Sequence, residues 1–451
     1  MNIESWSREL LAGVCSSIVP NHPTKTQSLE AIQDYNTLRS VSKRLNDTMN
    51  SEYSIAMFTQ AIWAKTFGSC NFPQDVLDWN TFLKHGFKVL RNWIDDTPQH
   101  HNGFITGSKF QSVKKNDRIE LMNYDYRSEK LSRVQIESDF STSKQELQLE
   151  GEVIAPGKMC YPFIAQTDDL MAINEGDRNV KIFIRHNGKI LTLLENLGMV
   201  KQIEMFGEFI FILQQGDHGS CLLRFNTREI FISDRFAKNP DRLSLTSTDD
   251  LKNERVKNHV SRFFLSENRI SLLSVIGMNL QLRTLCLSPT SKFPLENEEL
   301  KWVSLITFPT SSYIGREGKN FIICKLKDFN LKRLRVLENS YEIEEIVENI
   351  PLSSPATEIV ELYCNSGKVF IFYYSKKNSH HNVVTFDLET KKCSNSTDLP
   401  WISIIKPYSP SFAWHTTAER TNFMYFHLQP NEEAGDVEKL AITIIDYGDK
   451  I

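Results

Sequence analysis

The sequence predicts a mainly β protein that begins with a small α-helical domain, and three observations carry that prediction. Along roughly the first hundred residues, apolar side chains recur three or four apart, the spacing of one helix face. From about residue 104 the pattern changes to period-2 or short all-apolar runs, separated by Gly, Asn, Asp and Lys turns. Twenty-eight Phe and thirteen Tyr against nineteen Gly favour sheet over helix in the bulk of the chain. At 451 residues the chain exceeds a usual single domain. It divides into a helical domain over 1–70, a linker-helix region over 71–103 and a large β domain over 104–451.

The first helix is expected over 5–19, where Leu10, Leu11, Val14 and Ile18 share one stripe and Ser5 or Ser7 can cap the start. Pro20 and Pro23 end it. A second helix is expected from Leu29 to Met49, with Ile32, Tyr35, Leu38, Val41, Leu45 and Met49 on its apolar side. A third, Tyr53 to Phe67, carries Ile55, Phe58, Ile62 and Phe67, with Gly68 as its C-cap. The fourth follows Pro73 and offers Leu77, Trp79, Phe82, Leu83, Leu90 and Trp93. Periodicity leaves two readings open: a bundle packed on itself or on the next domain, or a docking face for a partner. His100-His101 at the end of this region reads as a solvated turn rather than a metal site, since no further ligand stands at useful spacing.

Residue identities add to the periodicity. Glu9-Leu10-Leu11 with Val14 and Ile18 comes first, then Leu38 with Val41-Ser42-Lys43-Arg44, then Ile62-Trp63-Ala64-Lys65. Trp79 to Leu83 and Asn92-Trp93 follow. In this order the segments resemble the F-box and its linker helix, the docking module of substrate receptors in SCF-type cullin–RING ubiquitin ligases. The resemblance covers residues 5–95, about a fifth of the chain. Trp6-Ser7 stands where the family has Leu-Pro, and the first loop and the Arg44-to-Trp63 spacing are longer than the family's. The resemblance implies docking on a Skp-type adaptor, and through it on a cullin. Leu10, Leu11, Val14, Ile18, Leu38, Val41 and Trp63 would form the adaptor face or the core beneath it. The helix at 76–93 would act as a stiff spacer, and the β domain would hold a protein substrate.

Five units of the β domain share one shape, a turn, an apolar strand, a polar turn and another apolar strand. They begin at Phe206, Glu267, Gly318, Ser366 and Asn422, roughly 48 to 61 residues apart. That spacing is in the range of β-propeller blades, and the length of the domain predicts about seven of them. Neither a Gly-His…Trp-Asp signature nor a kelch double glycine is present. A pair of β-sandwiches is the competing architecture. Phe386-Asp387-Leu388-Glu389-Thr390-Lys391 reads as an outer strand ending in a tight turn, and Lys238 to Lys257 and Ser288 to Glu299 read as long loops.

Several function classes are disfavoured. Net charge is −4 with no dense basic stripe, which argues against nucleic acid as the main partner. Cys15, Cys70, Cys160, Cys221, Cys286, Cys324, Cys364 and Cys393 stand singly, so zinc or thioredoxin-like chemistry is not expected and the thiols read as small core residues. No window of about 18 apolar residues predicts a membrane span. Met1 to Trp6 lacks a basic, apolar leader, so a cytoplasmic or nuclear location is expected. Asp95-Asp96, Asp168-Asp169 and Asp249-Asp250 read as turns, and no phosphate loop, metalloprotease or nucleophile-elbow motif is found. The expectation is a non-catalytic receptor without cofactor or metal. A β-propeller scaffold with a helical cap and a propeller enzyme are the alternatives.

Overall fold

In the computed structural model the chain is mostly β, with few helices. The structure describes residues 25–40, 46, 47, 49–67, 78–95 and 97–106, and beyond these the strands given below with their adjoining turns. Three helices lie among the described residues: α1 (Lys25–Arg39), α2 (Glu52–Phe67) and α3 (Trp79–Ile94). In α1, Ser28, Ala31, Ile32 and Tyr35 are buried, the i, i+3, i+4, i+7 stripe of a helix with one covered face. Asp78 caps α3, accepting from the N–H groups of Asn80 at 2.9 Å and Thr81 at 3.3 Å. The Thr81 hydroxyl at 2.6 Å, with these N–H groups, holds the Asp78 carboxyl below its usual range.

The strands form seven antiparallel sheets among the described residues. The first runs Phe110–Lys115, Arg118–Asp125, Lys130–Ile136 and Thr142–Glu146, the second Ile164–Gln166, Leu170–Glu175, Asn179–Ile184 and Ile190–Leu194. The third holds Met199–Phe206, Phe209–Gly216, Gly219–Asn226 and Asp241–Ser244. The fourth holds His259–Ser266, Arg269–Ile276, Asn279–Leu285 and Val303–Pro309. The fifth holds Ser312–Glu317, Asn320–Lys325, Leu331–Val336 and Tyr341–Val347. In the sixth, Glu358–Asn365, Lys368–Ser375 and His380–Asp387 are followed by Lys392–Cys393, while Thr397–Ile402 pairs with His380–Asp387 as well. The seventh holds Phe412–Thr416, Thr421–Gln429 and Lys439–Asp446, and its fourth strand, Gln99–Thr106, comes from the other end of the chain.

The first five sheets are meanders, so local hairpins set their registers. Gly207 and Gly277 supply the positive φ, 58° and 59°, that the tight first turn of the third sheet and second turn of the fourth require. A bulge recurs near the start of the first strand in three sheets, between Val200 and Gln202, Val260 and Arg262, and Ile359 and Glu361. Neighbouring sheets bury shared apolar layers: second with third, third with fourth, fourth with fifth and fifth with sixth. Arg269–Ile276 and Lys368–Ser375 are therefore covered on both faces and read as continuous buried runs. The helices share one core with the sixth and seventh sheets, where Phe58, Trp63, Phe82 and Trp93 meet Phe370, Phe372, Val383, Ile445 and Tyr447.

Several expectations need correction. The second helix stops at Arg39 rather than Met49, because the N–H and hydroxyl of Ser40 both bond the Thr37 carbonyl and close a turn. His100-His101 lies in a strand, paired with Ile445 and Ile444, and this strand begins inside the span read as linker. Within the presumed loop 238–257, Asp241–Ser244 pairs with Cys221–Arg224. Cys286 is exposed, whereas Cys221, Cys324 and Cys364 are core residues as expected. The helix at 5–19 lies outside the described residues.

Candidate functional site

Of the residues expected at a docking face, Leu10, Leu11, Val14, Ile18 and Val41 lie outside the described residues. Trp63 is 2 % exposed and packs its ring on Phe82 at 5.1 Å, so it belongs to the core. Leu38 is half-buried against the same core. The outward positions of α1, including Glu30, Gln33, Asp34 and Thr37, are polar, and Tyr53 at the start of α2 is exposed. Three contacts seat this helical layer. Trp93 packs on Tyr447 with centroids 4.6 Å apart, and Asn92 donates to the Tyr447 carbonyl at 3.1 Å. Glu389, from the turn after the third strand of the sixth sheet, accepts from the N–H of Lys25 at 2.8 Å and the Thr26 hydroxyl at 3.0 Å. A carboxylate from the β domain thus caps α1.

A second cluster was not anticipated. Gln202 follows the bulge on the first strand of the third sheet and clasps the first strand of the fourth. Its amide donates to the Phe263 carbonyl at 3.0 Å and accepts from the Phe263 N–H at 2.9 Å. The same amide donates to Glu204 at 3.2 Å. Glu204 is walled in by protein yet keeps part of its surface open to solvent. Burial pushes its carboxyl up to about 7, against the charge of Arg316 on the first strand of the fifth sheet and the Gln202 bond. Burial likewise pulls the Arg316 guanidinium down, against the charge of Glu204. A carboxyl poised near neutrality beside a cation is the kind of group binding and catalytic sites use. In sequence, Gln202 and Glu204 alternate with Ile203 and Met205 and look like an ordinary solvent face.

Asp95 is the C-cap of α3, 3.6 Å from Arg91, and the other acids read as paired lie outside the described residues. Among the described residues no group of three or more His, Cys, Asp or Glu could hold a metal ion, and no helix is long and apolar enough to cross a membrane.

No family model and no curated protein matches the sequence. Among solved structures, the chain is similar to a prolyl endopeptidase at 11% identity and a TM-score of 0.44, covering 84% of this chain and 51% of that one. It thus spans about half the length of the endopeptidase. It is similar to puromycin hydrolase at 13% identity and a TM-score of 0.38, covering 73% and 61%. YCF48 from Cyanidioschyzon merolae gives 9% identity and a TM-score of 0.43, covering 75% and 98%. The expectation of a non-catalytic chain is corrected here, because two of these three neighbours are enzymes. At these scores the likenesses assign neither an activity nor its absence.

Proposed function

We propose that this chain is the substrate-recognition subunit of an SCF-type ubiquitin ligase, docking on a Skp-type adaptor through its amino-terminal helices and holding a protein substrate on its β domain. The observation that carries the reading is the ordered set of segments at 9–18, 38–44, 62–65 and 79–93. The shared core of α3 with the sixth and seventh sheets supports it, because a docked adaptor and a bound substrate would keep a fixed mutual orientation. We further propose that the seven sheets are the blades of one propeller. Pairing of Gln99–Thr106 with Lys439–Asp446 supports closure of such a ring, since it joins the two ends of the β domain in one sheet. The receptor would act by proximity, raising the effective concentration of a substrate lysine near a charged ubiquitin-conjugating enzyme. Glu204 opposite Arg316 favours a second reading, a β domain that also carries a binding or catalytic centre of its own.

The test is capture of the full chain by its Skp-type adaptor, beside a Leu10→Asp/Val41→Asp double variant whose circular dichroism matches the wild type. Capture by the wild type and its loss in the variant are expected. A folded wild type that the adaptor does not retain overturns the proposal.

A further inference from the structure

The outermost strand of the fifth sheet, Tyr341–Val347, pairs with Leu331–Val336 alone among the described residues, so its far edge is open. Other outer strands are blunted in the ways that keep sheet edges from pairing. That of the third sheet, Asp241–Ser244, is short and exposes Asp241, Arg242 and Ser244. That of the fourth exposes Ser304, Thr307 and Pro309. In the sixth sheet it is split into Lys392–Cys393 and Thr397–Ile402. Tyr341–Val347 has seven residues, neither Lys nor Pro among them, and leaves Tyr341 39 % and Ile343 45 % exposed.

The N–H of Leu337 donates to the Ser340 carbonyl at 3.0 Å, which makes these two a bonded pair of the antiparallel hairpin. Bonded and non-bonded pairs alternate, so Arg335 with Glu342 and Arg333 with Glu344 are the next bonded pairs. The N–H and C=O of Tyr341 and Ile343 therefore point away from the sheet, toward the side an added strand would take. Their side chains share a face with Val336 and Leu334 opposite them, which are buried in the apolar layer between the fourth and fifth sheets. That layer runs out to solvent at the open edge. On the other face the hairpin balances Lys332, Arg333 and Arg335 against Glu342, Glu344 and Glu345. The pairing within that balance is uneven. Arg335 bonds Glu344 at 2.9 Å, with Lys391 at 3.9 Å and Arg333 at 4.0 Å, and Lys332 holds Glu345. Glu342 is exposed and makes no ion pair among the described residues, because the Arg335 opposite it turns to Glu344.

We propose that this edge captures an extended segment of a partner protein as a fifth strand, with an apolar, a basic and an apolar residue facing Ile343, Glu342 and Tyr341. The outward backbone groups supply the ladder bonds, and the three side chains supply the selectivity. A second copy of this chain fits less well. Antiparallel registers that set Ile343 against Ile343 or Tyr341 also set Glu342 against a glutamate of the other copy, and like charges directly opposite are destabilising. The site stands independently of the adaptor reading.

The experiment is fluorescence anisotropy of a labelled peptide, Ser-Thr-Val-Lys-Val-Thr-Ser, titrated with the full chain, beside the same peptide with Glu in place of Lys. Saturable one-to-one binding is expected. The Glu peptide should bind about fivefold more weakly or worse, since an attractive cross-strand pair becomes a repulsive one. Amide exchange at Tyr341 and Ile343 should slow on binding, while that at Glu342, bonded within the sheet, stays unchanged. Ile343→Pro removes an outward N–H that the sheet does not use and is expected to abolish binding. Ile343→Lys, a change at an exposed position, serves in its place should Ile343→Pro not fold. Failure of the Lys peptide to bind, equal binding of both peptides, or equal binding by the wild type and the variant overturns the proposal. So does a wild type that sediments as a dimer and that Ile343→Pro returns to monomer, because a second copy then fills the edge.

Discussion

The carboxyl of Glu204 titrates near 7 because the surrounding protein withholds water from its charged form more strongly than Arg316 and Gln202 favour that form. In the unfolded chain the same group titrates near 4.5. The stability that goes with the neutral form is therefore fully present below 4.5 and is lost as pH rises through about 7. Solvent reaches the site, so the loss is on the order of 1–2 kcal/mol, less than a full conversion of the shift. Glu204→Gln is expected to raise the urea midpoint over wild type at pH 8 and to leave it unchanged at pH 4.5. Equal midpoints at both pH values would mean that Glu204 carries no burial penalty. Other side chains take their roles from packing in the same way. Burial pushes the Cys324 thiol up to about 12, which leaves it an inert core group. Arg224 lies between the rings of Phe209 and Phe293, 4.7 and 4.2 Å from their centroids, while donating to Asp241 and the Pro289 carbonyl. It thereby fastens the segment after residue 285, which the sequence presents as a polar loop. Nothing in the local pattern around Phe293 signals that it is buried, because its partners lie some seventy residues earlier.

At the scale of elements, the distinction is between order that is local and order supplied from elsewhere. The apolar stripes of α2 and α3 are legible from sequence, since spacing of three and four fixes which side chains share a face. The start of α1 is different: its cap, Glu389, is 364 residues away. Glu389→Ala is expected to lower stability by about 1 kcal/mol, the usual worth of a cap. It should speed amide exchange in the first turn of α1 and leave exchange in the sixth sheet's central strands unchanged. Uniform acceleration across both would show that Glu389 serves the β domain rather than the helix. The five turn–strand–turn–strand units foreseen in the chain correspond to the second and third strands of the third to seventh sheets. The first sheet escaped notice because strands such as Phe110–Lys115 and Thr142–Glu146 are rich in Lys, Ser and Gln and lack a clean alternation.

At the scale of the whole molecule, the helical layer covers apolar surface of the sixth and seventh sheets, and the strand just after it completes the seventh sheet. A chain beginning at residue 110 would expose Phe370, Phe372 and Tyr447 and leave Lys439–Asp446 as an open edge. Such a fragment is expected to bind a hydrophobic dye and to sediment as aggregates, where the full chain does neither. A well-behaved, monomeric fragment would mean that the helices are a detachable module. Both arms bear on the receptor reading, which needs a helical module held in fixed relation to the β domain.

By itself the sequence determined the change from helical to strand periodicity near residue 104, the order of the three described helices and the period of the β units. Each of these depends on side chains within a few residues of one another, where helix and strand geometry translate directly into spacing. Only the tertiary structure decided that Trp63 is core, that Gln99–Thr106 closes the last sheet, and that Glu204 faces Arg316. These pairings join residues far apart in the chain. They arise from sheet register and from the stacking of one sheet on the next, and no local pattern encodes which distant face a side chain will meet.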